Sequence, residues 1–241
     1  SEVCKIEESI VREKISNHLF NISLLNSSQH GFMNNKSCQT NLLEFLDKVS
    51  QVVDEGKAMD VVYLDFSKAF DKISHSKLLL KLEEHGIGGK VRDWIENWLT
   101  GRRQFVSVNG AMSEERIVSS GVPQGSVLGP ILFITFINDL DNAAILMDII
   151  RKFADDTKGG KVVMTQRDAE LFQEALDRLI EWANIWGMDF NIKKCKIMHQ
   201  LQGLKQTNDQ SNRALRQYSN QAIKQSSNQA IKQSSNRAIK Q

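Results

Sequence analysis

Cysteine, proline and long apolar runs are all scarce in this chain of 241 residues. The three cysteines, Cys4, Cys38 and Cys195, lie far apart. They make neither a zinc-ligand spacing nor a disulfide framework, so a reducing compartment is expected. No apolar run approaches the roughly 18–20 residues that a membrane span needs, which excludes a transmembrane helix. The first fifteen residues also lack the apolar block of a signal peptide. The two prolines, Pro123 and Pro130, fall in a single ten-residue segment. Net charge is small as well: 31 Lys and Arg against 29 Asp and Glu leave +2. As an average, that balance speaks against a nucleic-acid protein. Hydrophobic residues at 41% and charged residues at 25% are ordinary for a globular chain, and the length suits one domain or two small ones.

The average hides two compositions. Residues 1–199 hold 24 Lys and Arg against 28 Asp and Glu, net −4, whereas residues 200–241 hold seven basic residues and one acid, net +6. Half of the latter segment is Gln, Asn or Ser, and it repeats every eight residues as SNRALRQY, SNQAIKQS, SNQAIKQS and SNRAIKQ. An eight-residue period drifts from both the heptad and the eleven-residue repeat, so no coiled-coil seam is sustained. One Ala and one Ile or Leu per repeat bury too little to offset the entropy of ordering. A disordered low-complexity tail is expected over 200–241, with a basic nucleic-acid-binding arm as the alternative. Near-identical copies also look like a short tandem DNA repeat read in frame.

The body mixes helical and strand signals. Apolar spacing predicts helices over 5–21, 41–56, 75–87, 89–101, 131–144 and 165–187. The segment DVVYLDF (60–66) is β-branched and aromatic, the best strand in the chain. Residues 103–121 read as a hairpin turning at Asn109–Gly110. Residues 149–164 read as strand, acidic turn, strand, and 188–200 as a short basic strand or hairpin. Helices and hairpins without strict βαβ alternation predict an α+β architecture.

Three acids stand where chemistry would use them. Asp65 follows the strand VVYL, and Asp155–Asp156 occupy the turn after IIRKFA. Adjacent carboxylates repel, and paired acids beside a third are costly without counter-ions. Oxygen ligands with no His or Cys nearby favour Mg²⁺ over Zn²⁺. Two such ions about 3.5–4 Å apart suit nucleotidyl transfer. Ordinary solvated turns also carry Asp pairs, so the residues alone leave both readings open. The loop GVPQGSVLGP (121–130) combines glycines that permit close backbone approach with Gln124 and Ser126, which can donate and accept to a nucleotide or template base. A plain helix-entry loop is the alternative.

In order, YLDFSKAFD (63–71), SGVPQGSVLGP (120–130) and FADD (153–156) resemble reverse transcriptases, most of all those of non-LTR retrotransposons of the jockey and chicken-repeat type. The flanks HGFMNNKSCQTNLLEFLD (30–47) and WANIWGMDFNIKKCKIMH (182–199) resemble that group too, so the likeness covers nearly all of residues 1–199. It implies a right-hand polymerase: partial fingers over 1–58 and a catalytic palm with inserted fingers helices over 59–199, followed by the repeat tail. It implies RNA-directed DNA synthesis, with two Mg²⁺ ions (Mn²⁺ as a substitute) and with RNA template, DNA primer and dNTPs as partners. No membrane partner is implied, and the setting is intracellular, nuclear or cytoplasmic, in a retroelement ribonucleoprotein. Asp65, Asp155 and Asp156 match the metal-binding acids, with Asp156 in a supporting role. Phe70 matches the steric gate under the sugar, although a Phe here also suits a core. Gln124 and Gly125 match the nucleotide and template pocket. Lys194 matches the lysine that neutralises the pyrophosphate; Lys193 and Lys196 compete for that register, and solvated charge is the alternative. Arg102 and Arg103 fit either template phosphate or a solvated face.

The chain also departs from the family. Met33 stands where many relatives carry Arg, and neither upstream fingers strands nor a thumb is recognisable, so a chain truncated at both ends is expected. Near-neutral charge is then a mark of missing basic grip elements. The competing expectation is an inactive remnant that binds RNA through its tail. A palm enzyme that makes RNA is disfavoured by Phe70.

Overall fold

The computed structural model describes residues 2–200, and within them the chain alternates between two units. The expected tail falls outside the described residues. One unit takes residues 2–25 and Lys68–Asn138; the other takes Asn26–Ser67 and residues 139–200.

The first unit is mainly helical: α1 (Glu2–Asn21), α3 (Ala69–Lys72), α4 (His75–Glu84), α5 (Gly89–Leu99) and α6 (Gly129–Phe136). Helix α6 is apolar on every side and almost entirely buried, the pattern of a core helix. Its first N–H groups need acceptors. The buried Glu8 carboxylate of α1 accepts from Val127 N at 2.7 Å and Leu128 N at 3.2 Å in the turn that opens α6. Residues 103–117 form two short antiparallel ladders, β2 (Arg103–Gln104) with β5 (Arg116–Ile117) and β3 (Ser107–Val108) with β4 (Ala111–Met112). Asn109 and Gly110 turn the chain at φ 51° and 86°, the positive values that a tight hairpin needs.

The second unit places one antiparallel sheet between two helices. Strands β1 (Met59–Leu64), β6 (Ile149–Phe153), β7 (Asp156–Val162) and β8 (Lys196–Gln200) lie in the order β6-β7-β1-β8. Helix α2 (Cys38–Asp54) covers one face, where Phe45, Val49 and Val52 meet Met59, Val61 and Ile149. Helix α8 (Gln166–Trp186) covers the other, where Phe172 and Leu176 meet Val62. Helices on both faces explain why β1 is apolar nearly throughout rather than alternating.

Several boundaries differ from the sequence reading. Helix α2 starts at Cys38 rather than 41, because Ser37 caps it and Thr40 bonds back to the Ser37 amide. The single helix expected over 131–144 is instead α6 and α7 (Leu140–Ala143). At the break Asn138 N bonds Thr135 O at 3.3 Å, a three-residue step, and Asn138 Nδ2 donates to Leu24 O at 2.7 Å. Side-chain bonds of that kind are invisible to apolar periodicity.

The outer edge of β6 is closed by residues 28–30: Lys152 N donates to Ser28 O and His30 N to Lys152 O, both at 2.8 Å. The Lys152 side chain is fully buried and its ammonium pairs with Asp141 of α7. Burial pushes the Lys152 amine down, and the Asp141 and Asp139 carboxylates oppose that shift. Removing one partner of such a pair leaves an uncompensated buried charge. Asp141→Asn is therefore expected to lower stability by about 3–5 kcal/mol in a urea titration, with much of the loss recovered by adding Lys152→Met.

Candidate active site

The register of β1 with β7 assembles the acids. Leu64 pairs with Thr157, so the next step past the strand brings Asp65 opposite Asp156. Strands β6 and β7 meet at Phe153 and Asp156, leaving Ala154 and Asp155 as a two-residue turn. All three carboxylates thus gather at one end of the sheet. Ala154 turns at φ 53°, a left-handed conformation that costs a non-glycine residue about 1–2 kcal/mol.

Two neighbours offset that cost. The buried Gln29 side chain accepts from Ala154 N at 3.0 Å and Gly31 N at 2.8 Å, and donates to Ala154 O at 3.4 Å. Gly31 abuts the same peptide, where a Cβ would lie 2.3 Å from Ala154 N. The sequence reading missed both residues, because the contact joins positions more than 120 apart and 30–40 reads locally as a polar loop.

The segment after α8 holds the end of β1 in place. Asn191 N donates to Asp65 O at 2.7 Å, and Ser67 N to Asp189 O at 2.7 Å. Phe66 stacks on Phe190 with ring centroids 4.6 Å apart. The same turn carries Lys194, whose Nζ stands 3.4 Å from Asp65 Oδ2. That oxygen is buried and makes no hydrogen bond. Burial pushes the Asp155 carboxyl above its ordinary range; Asp156 and Asp65 push further, against Lys194 and its own amide. A cleft of about 520 Å³ opens here, lined by Tyr63, Asp65, Phe153, Asp156, Lys158 and Lys194 among others. Lys158, also missed, lies 5.5 Å over the Phe45 ring, and burial lowers its amine. Among the described residues, no three His, Cys, Asp or Glu side chains form a ready-made metal cage.

Phe70, Gln124 and Gly125 belong to the other unit, where two segments are strapped together. Val122 N donates to Phe70 O at 2.9 Å, Gly121 N to Ile73 O at 2.8 Å, and Gln124 Nε2 to Asp71 Oδ1 at 3.0 Å. Gly121, at φ 83°, has no room for a Cβ, which would lie 2.7 Å from Asp71 Cα. Phe70 stacks on the buried Phe133 at 4.3 Å and stays half-buried, so one ring face serves the core. Gln124 and Gly125 are exposed. Arg102 donates to Gly121 O at 2.7 Å and Leu99 O at 3.0 Å, and so is spent on main-chain carbonyls. Arg103 pairs with Glu115 at 3.2 Å on the surface.

The family described as reverse transcriptase (RNA-dependent DNA polymerase) matches residues 1–231. This chain belongs to the reverse transcriptase family. The match runs past His199, where the motif resemblance ended. Among curated relatives, a probable RNA-directed DNA polymerase from transposon X-element of Drosophila melanogaster is 27% identical over 201 residues, 80% of this chain and 22% of the relative. The RNA-directed DNA polymerase from mobile element jockey of Drosophila funebris is 33% identical over 143 residues, 55% of this chain and 15% of the relative. The chain thus spans about a fifth or less of these relatives' length. Among solved structures, apo telomerase from Candida tropicalis truncated from its C-terminal domain matches with a TM-score of 0.63 and 11% identity over 82% of this chain and 41% of that one. Telomerase from Candida albicans, solved with a fragment of telomeric RNA, gives 0.61 and 13% over 83% and 35%. At such identities these likenesses speak for the fold of this reverse transcriptase chain.

The acid crowding has a measurable sign. A carboxylate whose pKa is raised by folding binds more protons folded than unfolded, so its contribution to stability falls as pH rises through the carboxylate range. In metal-free buffer, Asp155→Asn is expected to raise the urea midpoint at pH 7 and to flatten the decline in stability that sets in above about pH 4. A midpoint lower than that of the parent chain at pH 7 would contradict the crowding.

Proposed function

We propose that this chain carries the nucleotidyl-transfer centre of an RNA-directed DNA polymerase, adding a deoxynucleotide to a primer 3′-hydroxyl on an RNA template. The observation that carries the reading is the convergence of Asp65, Asp155 and Asp156 at one sheet end, beside Lys194, in a chain of this family. The antiparallel sheet with α2 and α8 corresponds in this reading to the palm, and the helical unit supplies fingers elements.

The donor set suits Mg²⁺. Magnesium is commonly held by one or two carboxylates together with substrate phosphates, not by an all-protein cage. Oδ2 of Asp65 takes no hydrogen bond and is countered by an exposed ammonium at 3.4 Å, and Asp155 is crowded by two further acids, so an added cation is favoured at both. Asp65, Asp155 and Asp156 would hold two such ions. When bound, they lower the pKa of the attacking hydroxyl and neutralise charge on the phosphates.

The chain's own groups do the rest. The β1–β7 register sets Asp65 and Asp156 at the lining of one cleft. Lys194, two-thirds exposed and beside Asp65, would supply positive charge or a proton to the departing pyrophosphate. In the other unit, the roles proposed for Phe70, Gln124 and Gly125 are sugar discrimination and contact with nucleotide or template. The partial burial of Phe70 and the exposure of Gln124 support them.

Two measurements test this. Extension of oligo(dT) on poly(rA) with Mg²⁺ or Mn²⁺ is expected from the parent chain and should drop to background in an Asp155→Asn/Asp156→Asn double variant. A parent no better than that variant overturns the reading. Phe70→Val should raise incorporation of ribonucleotides relative to deoxynucleotides by about tenfold or more, because a steric exclusion is removed. An unchanged ratio removes Phe70 from the site and leaves it as core.

A further inference from the structure

We propose that Gln29 is a positioning residue for the acidic turn: its amide sets the backbone of Ala154 and, through it, the placement of Asp155 and Asp156. The inference rests on the polymerase reading for the reaction it affects. Gln29 is 2% exposed. Its single amide spans both polar groups of residue 154, accepting from the N–H at 3.0 Å and donating to the carbonyl at 3.4 Å. A left-handed alanine persists only where its surroundings over-determine it. A donor and an acceptor facing both backbone groups of that residue do so.

A second contact closes on the same peptide. Gly31 lies so near that any side chain would meet Ala154 N at 2.3 Å. The same Gln29 oxygen accepts from Gly31 N at 2.8 Å, which ties the two contacts into one clasp. The clasp is anchored just before the turn, where Lys152 bonds the main chain at Ser28 and His30, and Asn41 Nδ2 donates to Lys152 O at 3.0 Å. Gln29 stays clear of the cleft lining, so it acts through Ala154 and not on a reacting atom. The turn is only two residues long, and Asp155 is the second. Rotation at Ala154 is therefore passed to both acids without a flexible residue in between, and small errors in ligand placement are costly to catalysis.

The test compares the full chain with Gln29→Leu and with Gln29→Leu/Ala154→Gly. Gln29→Leu should lower kcat for primer extension by about 10–100-fold with the dNTP KM nearly unchanged, and weaken Mn²⁺ binding, read by water-proton relaxation, by a similar factor. Glycine at 154 adopts the left-handed turn without help, so the double variant should regain most of both losses. If Gln29→Leu alone fails to fold, recovery of folding in the double variant supports the proposal equally. A cooperatively melting Gln29→Leu that keeps kcat and Mn²⁺ affinity within about twofold of the parent overturns it. A defect that Ala154→Gly does not relieve overturns it too, since Gln29 would then serve the core and not the turn. A parent that binds Mn²⁺ without extending a primer sinks the polymerase reading and leaves Gln29 to be judged by Mn²⁺ alone. With no Mn²⁺ binding in the parent, hydrogen exchange at the Ala154 amide decides: protection lost on Gln29→Leu supports the clasp, and no protection in the parent overturns it.

Discussion

Pairing of β1 with β7 in a single register is the constraint from which both the core and the candidate site follow. The register that places Leu64 opposite Thr157 also sends Met59 and Val61 toward Phe45 and Val52, and Val62 toward Phe172. A slip of one residue would reverse every side chain of β1 and separate Asp65 from Asp156. The hydrophobic effect therefore fixes the acids: misplacing them would expose two layers of apolar side chains. No carboxylate interaction has to hold the carboxylates together, which is the condition under which like charges can be kept close.

The weak point is the turn between β6 and β7, at the open side of the sheet. An edge strand with a strained residue at its tip would fray. Residues 28–30 bond the β6 edge at Lys152, and Gln29 reaches the tip. A segment from well before the sheet in sequence thus completes it. The order of these pieces along the chain gives no hint that they meet.

That separation sorts what was legible in the sequence from what was not. The strand leading into Asp65, the hairpin carrying Asp155 and Asp156, and the Asn109–Gly110 turn are local signals, and the structure has each of them. The start of α2 was misjudged because the box between Ser37 and Thr40 uses threonine where a glutamate or glutamine is the usual signal. The break after α6 depends on the side chain of Asn138, which periodicity cannot weigh. Gln29 and Gly31 were out of reach for a different reason. A glutamine and a glycine in a polar stretch carry no local pattern, and their meaning exists only once residue 154 is beside them. Phe70 reads as either gate or core from sequence, and the structure stacks it on Phe133 while leaving the residue only half-buried.

Two lysine–aspartate pairs in the same unit show how burial separates a structural charge from one proposed to act in the reaction. Lys152 is fully buried against Asp141, itself largely enclosed, so neither charge can be exchanged for water or another ion without a large penalty. Lys194 reaches Asp65 with two-thirds of its side chain in solvent, at 3.4 Å. Solvent screens that attraction, so it compensates the acid cluster only in part. A deeply buried lysine at that point would have closed the centre as firmly as Lys152 closes its own. An exposed one leaves the negative charge of Asp65, Asp155 and Asp156 under-compensated and, in the proposed reaction, lets Lys194 turn from Asp65 to an incoming phosphate. In the proposed reaction this incompleteness is the useful property, because a bound cation would supply the positive charge that the acids lack.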